Sequence, residues 1–129
     1  MSLQTRQIGA APDAIAPDGS EVRLLAQGRL GSMAHFTLPP GAVARAVAHR
    51  TVEEVWYFVA GSGRMWRRLD GREEIVAVRP GTSLAIPVGT HFQFRCDGGE
   101  PLAAVAVTMP PWPGGDEAHP CDGAWEPTV

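Results

Sequence analysis

Hydrophobic and polar positions alternate in short runs from residue 22 to residue 108. Such alternation is typical of β-strands that bury one face and expose the other. Turn-forming residues separate the runs, among them Asp70-Gly71 and Pro87-Val88-Gly89. The predicted strands comprise residues 22–27, 32–38, 43–48, 54–60, 63–69, 73–78, 83–86, 91–96 and 102–108.

No stretch of the chain repeats apolar residues at helical spacing through three turns, so we expect no long helix. About nine short strands joined by tight turns predict an all-β protein, either a sandwich or a barrel. Residues 1–20 show no sustained period and are interpreted as an N-terminal arm before a barrel of residues 21–108. Residues 109–129 form a proline-rich tail without a predicted strand, and Trp112 and Trp125 indicate that this tail packs against the barrel.

Composition narrows the possible functions. The 129 residues suffice for one domain, and a hydrophobic content of 44% suffices for one core. A formal net charge of −3 gives no reason to expect nucleic-acid binding. The two cysteines, Cys96 and Cys121, are not spaced as metal ligands, and no apolar run reaches the roughly 18 residues of a membrane span. We therefore expect a cytoplasmic protein that binds neither nucleic acid nor membrane.

A spaced pattern of glycine, histidine and glutamate begins at Gly41. Five residues separate Gly41 from Val47, and His49, Glu54 and Gly61 follow. The pattern resembles the first motif of the cupin superfamily, which reads glycine, five residues, His-x-His, three or four residues, glutamate, six residues and glycine. Val47 occupies the position of the first histidine in that motif.

A second pattern follows in the chain and resembles the second cupin motif. That motif reads glycine, five residues, Pro-x-Gly, two residues, histidine, three residues and asparagine. Gly81, Pro87 and Gly89 match it in identity and spacing. Phe92 occupies the histidine position and Cys96 the asparagine position.

The resemblance covers residues 30–108 and implies a double-stranded β-helix, that is, a jelly-roll barrel. In similar cupins, three histidines and one glutamate hold a divalent metal ion inside the barrel. Here only His49 and Glu54 stand at matching positions, because Val47 and Phe92 cannot coordinate a metal. Two protein ligands rarely hold a catalytic metal, for which three are usual.

His91 precedes the third histidine position by one residue and leaves two interpretations open. A one-residue slip of the strand would turn His91 inward and give a His49–Glu54–His91 set for one divalent ion (Fe, Mn, Ni or Zn). Without the slip, Phe92 and Phe94 point inward. Burial of the aromatic rings favours this second register by several kcal/mol, at ~1.5–3 kcal/mol for each large side chain.

Strand alternation also predicts which side chains line the pocket. Arg45, Val47 and His49 share one face of a predicted strand, and aromatic residues follow Glu54 on the same face of the next strand. A buried carboxylate needs a partner, which His49 and Arg45 could supply. Such a cluster suits an anionic or hydroxylated ligand. The predicted pocket residues are Arg45, Val47, His49, Glu54, Trp56, Phe58, Phe92 and Phe94.

Three hypotheses for the function follow. The first is a small-molecule-binding cupin with an eroded metal site, without a certain cofactor and without an assigned activity. The second is a metal-dependent dioxygenase, isomerase or decarboxylase that uses His49, Glu54 and His91. The third, metal-free acid–base catalysis of the kind found in cupin-like sugar epimerases, has the least support. Small cupins similar to this chain usually pair, so we also expect a homodimer.

Overall fold

The computed structural model describes residues 3–129, and this part of the chain contains eleven β-strands and no helix. The first two residues of the predicted arm lie outside the described residues. Residues 3–129 therefore contain no helix long and apolar enough to cross a membrane. The strands are β1 (Ala14–Ile15), β2 (Glu21–Gln27), β3 (Ser32–Leu38), β4 (Val47–His49), β5 (Glu53–Ala60), β6 (Gly63–Leu69), β7 (Arg72–Val78), β8 (Ser83–Ile86), β9 (His91–Cys96), β10 (Leu102–Met109) and β11 (Ala118–Pro120).

The strands form two antiparallel sheets that pack face to face. The six-stranded sheet has the order β1-β2-β3-β10-β5-β8, and the five-stranded sheet has the order β11-β4-β9-β6-β7. Inward side chains of both sheets, including Trp56, Phe58, Met65, Phe92 and Phe94, form one buried core. This arrangement confirms the predicted all-β jelly roll. Eight of the nine predicted strands lie within one residue of their predicted bounds.

The hairpin between β6 and β7 has the tight turn that its sequence predicts. Leu69 pairs with Arg72, which leaves Asp70 and Gly71 as a two-residue loop. Both loop residues have positive φ, 52° at Asp70 and 75° at Gly71. Positive φ at both central positions matches the right-handed twist of the strands, and Asp-Gly adopts it at low cost.

The predicted strand 43–48 is the exception, because only residues 47–49 form a continuous ladder. Val43 makes an isolated bridge with Arg95, and its backbone also bonds to Thr128 in the tail. The Arg45 amide donates to the Asp18 carbonyl in the arm. Hydrogen bonds to the tail and the arm occupy backbone groups of Val43 and Arg45. The segment before β4 therefore does not pair with β9 along its whole length.

The N-terminal arm runs along the edge of the six-stranded sheet. Its residues Ala14–Ile15 pair with β2, and the Asp13 carboxylate accepts a hydrogen bond of 2.7 Å from the Leu24 amide. The Gln4 side chain accepts another from the Gln27 amide, also at 2.7 Å. The arm therefore covers a sheet edge of its own chain.

The tail packs on the five-stranded sheet and contains a strand that its proline-rich sequence did not predict. Ala118–Pro120 pairs with β4 at the sheet edge, where proline is tolerated because its missing N–H faces away from the ladder. Further along, the buried Gln93 amide bonds to the backbone of Ala124 and Trp125. The Trp125 ring lies 5.3 Å from the guanidinium groups of both Arg64 and Arg95.

Two motif glycines offer a matched test of the barrel's packing. Gly41 and Gly61 have nearly the same φ, 76° and 77°, so alanine at either position has a similar backbone cost of about 1 kcal/mol. A Cβ at Gly61 would overlap the Pro101 carbonyl oxygen and lie 2.8 Å from the Leu102 Cα, whereas nothing lies within 4 Å of one at Gly41. We expect Gly61→Ala to lower the free energy of unfolding by about 2 kcal/mol more than Gly41→Ala. Urea unfolding measures the difference, and equal losses would contradict the packing described here.

Candidate functional site

A cavity of about 330 Å³ lies between the two sheets at one end of the barrel. Its polar side chains include His49 of β4, Glu54 of β5 and Thr108 at the end of β10, and the arm adds Arg6 and Asp18. Its apolar wall comes mainly from β2, β3 and the arm. The arm contributes the stretch 14–18, and the tail contributes Trp112 and Ala118.

Aromatic rings form the floor of the cavity. The Phe36 and Trp56 rings are stacked, with centroids 5.3 Å apart and an angle of 10° between their planes. Phe92 packs edge-on against Trp56 at 6.1 Å. Such contacts fix the orientation of each ring beyond what burial alone provides. The position of the Trp56 indole N–H is therefore set by packing from both sheets.

His49 and Glu54 form a buried pair at the end of this aromatic floor. The side chains are 6% and 3% exposed, and His49 Nδ1 lies 3.3 Å from Glu54 Oε1. The two atoms are not aligned as a hydrogen bond, so Nδ1 has no hydrogen-bond partner among residues 3–129. Trp56 Nε1 faces the Glu54 carboxyl group, where its N–H opposes the rise in the pKa of that group, and it has no aligned partner in the described part of the chain.

Burial disfavours a charge on either member of the pair. Loss of hydration, aided by the nearby Asp18 carboxyl group, raises the pKa of Glu54 to about 8. Loss of hydration lowers the pKa of His49 to about 4. At pH 7 the Glu54 carboxyl group is therefore protonated and the His49 ring is uncharged.

The tail encloses the His49 ring. His49 lies between Phe92 and Trp112, with ring centroids 5.2 Å and 5.1 Å away. The Trp112 amide donates a 2.9 Å hydrogen bond to the Ser32 hydroxyl, which in turn lies 2.6 Å from the Thr108 hydroxyl. The sequence predicted a packed tail but gave Trp112 no place in the site.

Asp18 is a second site residue that the sequence analysis missed. It lies in the arm, lines the cavity and is buried. The Ser20 amide and hydroxyl donate to its Oδ1 at 2.9 and 2.6 Å, and burial raises the pKa of its carboxyl group. The run Pro17-Asp18-Gly19-Ser20 is typical of a turn in which aspartate accepts from the backbone two residues later, a signal that was available.

The structure brings five of the eight predicted pocket residues to the cavity wall. Phe58 and Phe94 are buried in the core and do not line it. Arg45 requires a correction, because it lies before β4, is exposed, and donates from Nε to the Val129 carbonyl. The expected His–carboxylate–Arg cluster is therefore a His–carboxylate pair alone. The five are Val47, His49, Glu54, Trp56 and Phe92.

The structure does not bring His91 together with His49 and Glu54. Val47 pairs with Phe92 and Ala48 with His91, so His91 lies on the outer face of the five-stranded sheet. There its Nδ1 lies 3.1 Å from a guanidinium nitrogen of Arg68.

One known protein family has a model that matches more than half of the chain. The model of the cupin domain matches residues 34–108. This chain belongs to the cupin family. No curated protein matches this cupin.

Solved structures share the cupin's fold at low sequence identity. Oxalate decarboxylase from Bacillus subtilis matches with a TM-score of 0.66 and 22% identity, over 76% of this chain and 28% of that one. The Bacillus halodurans protein BH2720 matches with a TM-score of 0.65 and 21% identity, over 77% and 76%. CapF, a capsular polysaccharide assembling protein from Staphylococcus aureus, matches at 0.66 and 18%, over 81% and 32%. The chain thus spans about a third or less of oxalate decarboxylase and CapF.

The donor set of this cupin does not fit the metal that the family's first and second motifs imply. Val47 and Phe92 stand at two of the three histidine positions, and both are buried and apolar. Among residues 3–129, no three His, Cys, Asp or Glu side chains are grouped so that they could share a metal ion. His49 and Glu54 remain as two donors, fewer than a catalytic metal usually requires.

The two pKa values determine how stability depends on pH. Neutral Glu54 stabilises the fold below its ordinary pKa of 4.5, and this contribution is lost as the pH rises towards 8. Neutral His49 stabilises the fold above its ordinary pKa of 6.5, and this contribution is lost as the pH falls towards 4. The two effects offset between pH 4.5 and 6.5, because folded and unfolded chains then hold the same number of protons. Above pH 6.5 only the loss from Glu54 remains.

We therefore expect the free energy of unfolding to fall by roughly 2 kcal/mol between pH 6.5 and pH 8 in the native protein. The matched control is Glu54→Gln, which keeps the shape of the side chain and removes its proton equilibrium. Its stability should be level over the same interval. Urea unfolding at several pH values measures both, and parallel curves would show that Glu54 does not retain its proton.

Proposed function

We propose that this protein is a small-molecule-binding cupin whose barrel pocket works without a metal ion. One observation carries the proposal: the cavity is intact, but Val47 and Phe92 line it where coordinating histidines would stand. The cavity is of a size that small organic ligands occupy, at the lower end of the usual range. Polar side chains from the arm and from several strands line it beside the apolar ones, and groups of this kind fix the orientation of a bound ligand.

The solved structures support the fold of this proposal and not a reaction. One matching structure of Bacillus subtilis oxalate decarboxylase concerns the Mn(II) centres of that enzyme. This chain is 23% identical to it and covers 27% of its length. Because the present cavity has two donors where three histidines and a glutamate are expected, we do not carry the manganese chemistry over to this chain.

Metal content tests the proposal directly. We expect protein purified without chelator, and then incubated with Mn²⁺ or Zn²⁺ and desalted, to hold less than about a tenth of an equivalent of metal. The double variant Val47→His/Phe92→His places imidazoles at both apolar positions and should approach one equivalent. Elemental analysis at known protein concentration gives both values.

The control for the metal experiment is His49→Ala in the native background. Stoichiometric metal in the native protein that His49→Ala removes would overturn the metal-free proposal. The double variant's fold is checked by its near-UV circular dichroism spectrum, so that misfolding is not mistaken for failure to bind.

We also propose that two copies of the chain pair through the outer face of the six-stranded sheet. Val55, Tyr57 and Val59 alternate along β5 and are exposed on that face. His35 lies on β3, two strands from β5 in the same sheet, and its Nδ1 is buried without a hydrogen-bond partner among the described residues. Two-fold pairing buries the same patch on both copies, which suits a continuous apolar face.

Light scattering during size-exclusion chromatography tests this pairing. We expect a dimer for the native protein and a monomer for Tyr57→Glu, because a charge cannot be buried between two apolar faces without a partner. Ile75→Glu is the matched control, since Ile75 is equally exposed but lies on the other sheet. A monomeric native protein would rule out the dimer.

A further inference from the structure

We infer that the cavity binds an amphipathic carboxylate, whose charged end lies against Arg6 and Gln27 at the mouth and whose apolar body lies inside. The mouth is the part of the cavity where the lining side chains are exposed to solvent. The inference deepens the proposed function, on which it rests, by naming the class of the ligand and its orientation.

Two neighbouring rows of side chains cross the inner face of the six-stranded sheet and differ in polarity. Backbone pairing defines a polar row at one end of the sheet, made of Gln27, Ser32, Thr108 and Glu54. The next row on this face is apolar and consists of Leu24, Ala34, Ala106 and Trp56. An irregular step in β2 leaves both Leu24 and Gln27 on the cavity wall. A molecule that lies across the two rows therefore meets a polar strip beside an apolar one.

The polar row runs from a buried end to an exposed end. Glu54 is buried, whereas Gln27 is exposed to solvent and lines the cavity. Between them, the hydroxyl groups of Ser32 and Thr108 lie 2.6 Å apart and bond to each other. The Gln27 side-chain amide is therefore the group of this row that is most open to a ligand, and its NH₂ can donate hydrogen bonds.

Arg6 adds a positive charge beside the exposed end of the row. The backbone N–H of Gln27 donates to the Gln4 side chain, and this bond holds the arm against the row two residues from Arg6. Of the arginines within residues 3–129, Arg6 alone lines the cavity. The ion pairs in that part of the chain engage five other arginines, so the charge of Arg6 is left for a ligand.

A carboxylate matches these two exposed groups. The planar guanidinium group of Arg6 presents paired N–H groups whose spacing fits the two oxygen atoms of a carboxylate. The Gln27 amide can donate a further hydrogen bond to the same anion. One arginine balances one negative charge, which favours a monocarboxylate over a dianion.

The buried part of the wall determines the orientation of the ligand. The carboxyl groups of Asp18 and Glu54 lie there, 5% and 3% exposed. A ligand carboxylate beside either group would lose its hydration without gaining a cation, because Arg45 donates to the Val129 carbonyl and does not line the cavity. At Arg6 the same carboxylate keeps contact with water and gains an opposite charge. The charged end therefore lies at the mouth.

Exposed apolar side chains lie at the mouth as well. Four of the large apolar side chains that line the cavity are open to solvent, namely Ile15, Leu24, Met33 and Trp112. Apolar side chains clustered at a protein surface commonly mark a place where a ligand binds. An apolar body that reaches from Phe36 on the floor to this rim removes these side chains from water.

Four probes test the ligand class. Octanoate carries the carboxylate, 1-octanol replaces it with a hydroxyl group, octylammonium reverses the charge, and butyrate shortens the apolar body. At neutral pH, we expect octanoate to bind about fivefold more tightly than 1-octanol, the gain from a partly exposed ion pair with hydrogen bonds. Octylammonium should bind more weakly than octanoate. Butyrate should bind at least about tenfold more weakly than octanoate, because fewer methylene groups are buried.

Ligand-observed NMR titrations give the four dissociation constants, with each probe kept below the concentration at which it forms micelles. Arg6→Gln removes the charge but keeps a long polar side chain. We expect this variant to lose the fivefold preference for octanoate while its affinity for 1-octanol changes less than about twofold. Arg29→Gln is the matched control, because Arg29 is exposed and near Gln27 in sequence but does not line the cavity. It should keep the preference.

A charge reversal at the same position distinguishes recognition from a structural role of the arm. In Arg6→Glu the mouth carries a negative charge, so octylammonium should bind more tightly than octanoate. Arg29→Glu changes the net charge equally and should keep the native order. An arm that merely loosened would weaken all of the probes together and would not reverse their order.

Two alanine positions locate the bound probe. Ala34 lines the cavity, so Ala34→Phe should abolish binding of octanoate and of 1-octanol. Ala85 is exposed and lies outside this cavity, so Ala85→Phe should leave both affinities unchanged.

The outcomes separate the inference from the function on which it rests. If 1-octanol binds as tightly as octanoate, and Ala34→Phe blocks both, the cavity binds small molecules and the carboxylate inference is wrong. Equal effects of Arg6→Gln and Arg29→Gln, or equal affinities of butyrate and octanoate, likewise overturn only the inference. If none of the four probes binds, both the inference and the small-molecule proposal fail, whereas metal content decides the metal-free proposal on its own.

Discussion

The pairing of Val47 with Phe92 determines the chemistry of the barrel interior. Because side chains alternate along a strand, this single register places Phe92 inside and His91 outside, beside Arg68. The opposite register would expose aromatic rings that now pack against Trp56. Burial of the aromatic rings therefore keeps His91 out of the interior. Of the motif positions, only His49 and Glu54 then offer donors for a metal.

The two donors, His49 and Glu54, have different pKa values inside the barrel than in water, because burial removes their hydration. With their ordinary pKa values of 6.5 and 4.5, histidine and glutamate in water would both be charged between these two pH values. Inside the barrel, lost hydration disfavours the charged form of each side chain, so it raises the pKa of Glu54 to about 8 and lowers that of His49 to about 4. At this part of its wall the cavity thus presents two polar side chains whose charged forms are both disfavoured by burial.

The sequence predicted the features that depend on local pattern and missed those that depend on distant segments. Alternation and the Asp70-Gly71 turn predicted the strands, and hydrophobicity predicted that Phe92 is inside. Arg45 was misplaced because its backbone bonds to the arm, which breaks the ladder that alternation assumes. Asp18 and Trp112 were missed because an irregular arm and a proline-rich tail give no periodic signal from which their direction could be read.

The cavity wall is built largely by parts of the chain outside residues 34–108, the segment that matches the family model. The arm residues 14–18, strand β2 and Trp112 of the tail all belong to these outer parts. A descendant of this protein could therefore acquire a new ligand by exchanging its two ends while the β-barrel between them stays unchanged. Proteins that align well with this chain over the barrel alone need not have inherited the same preference.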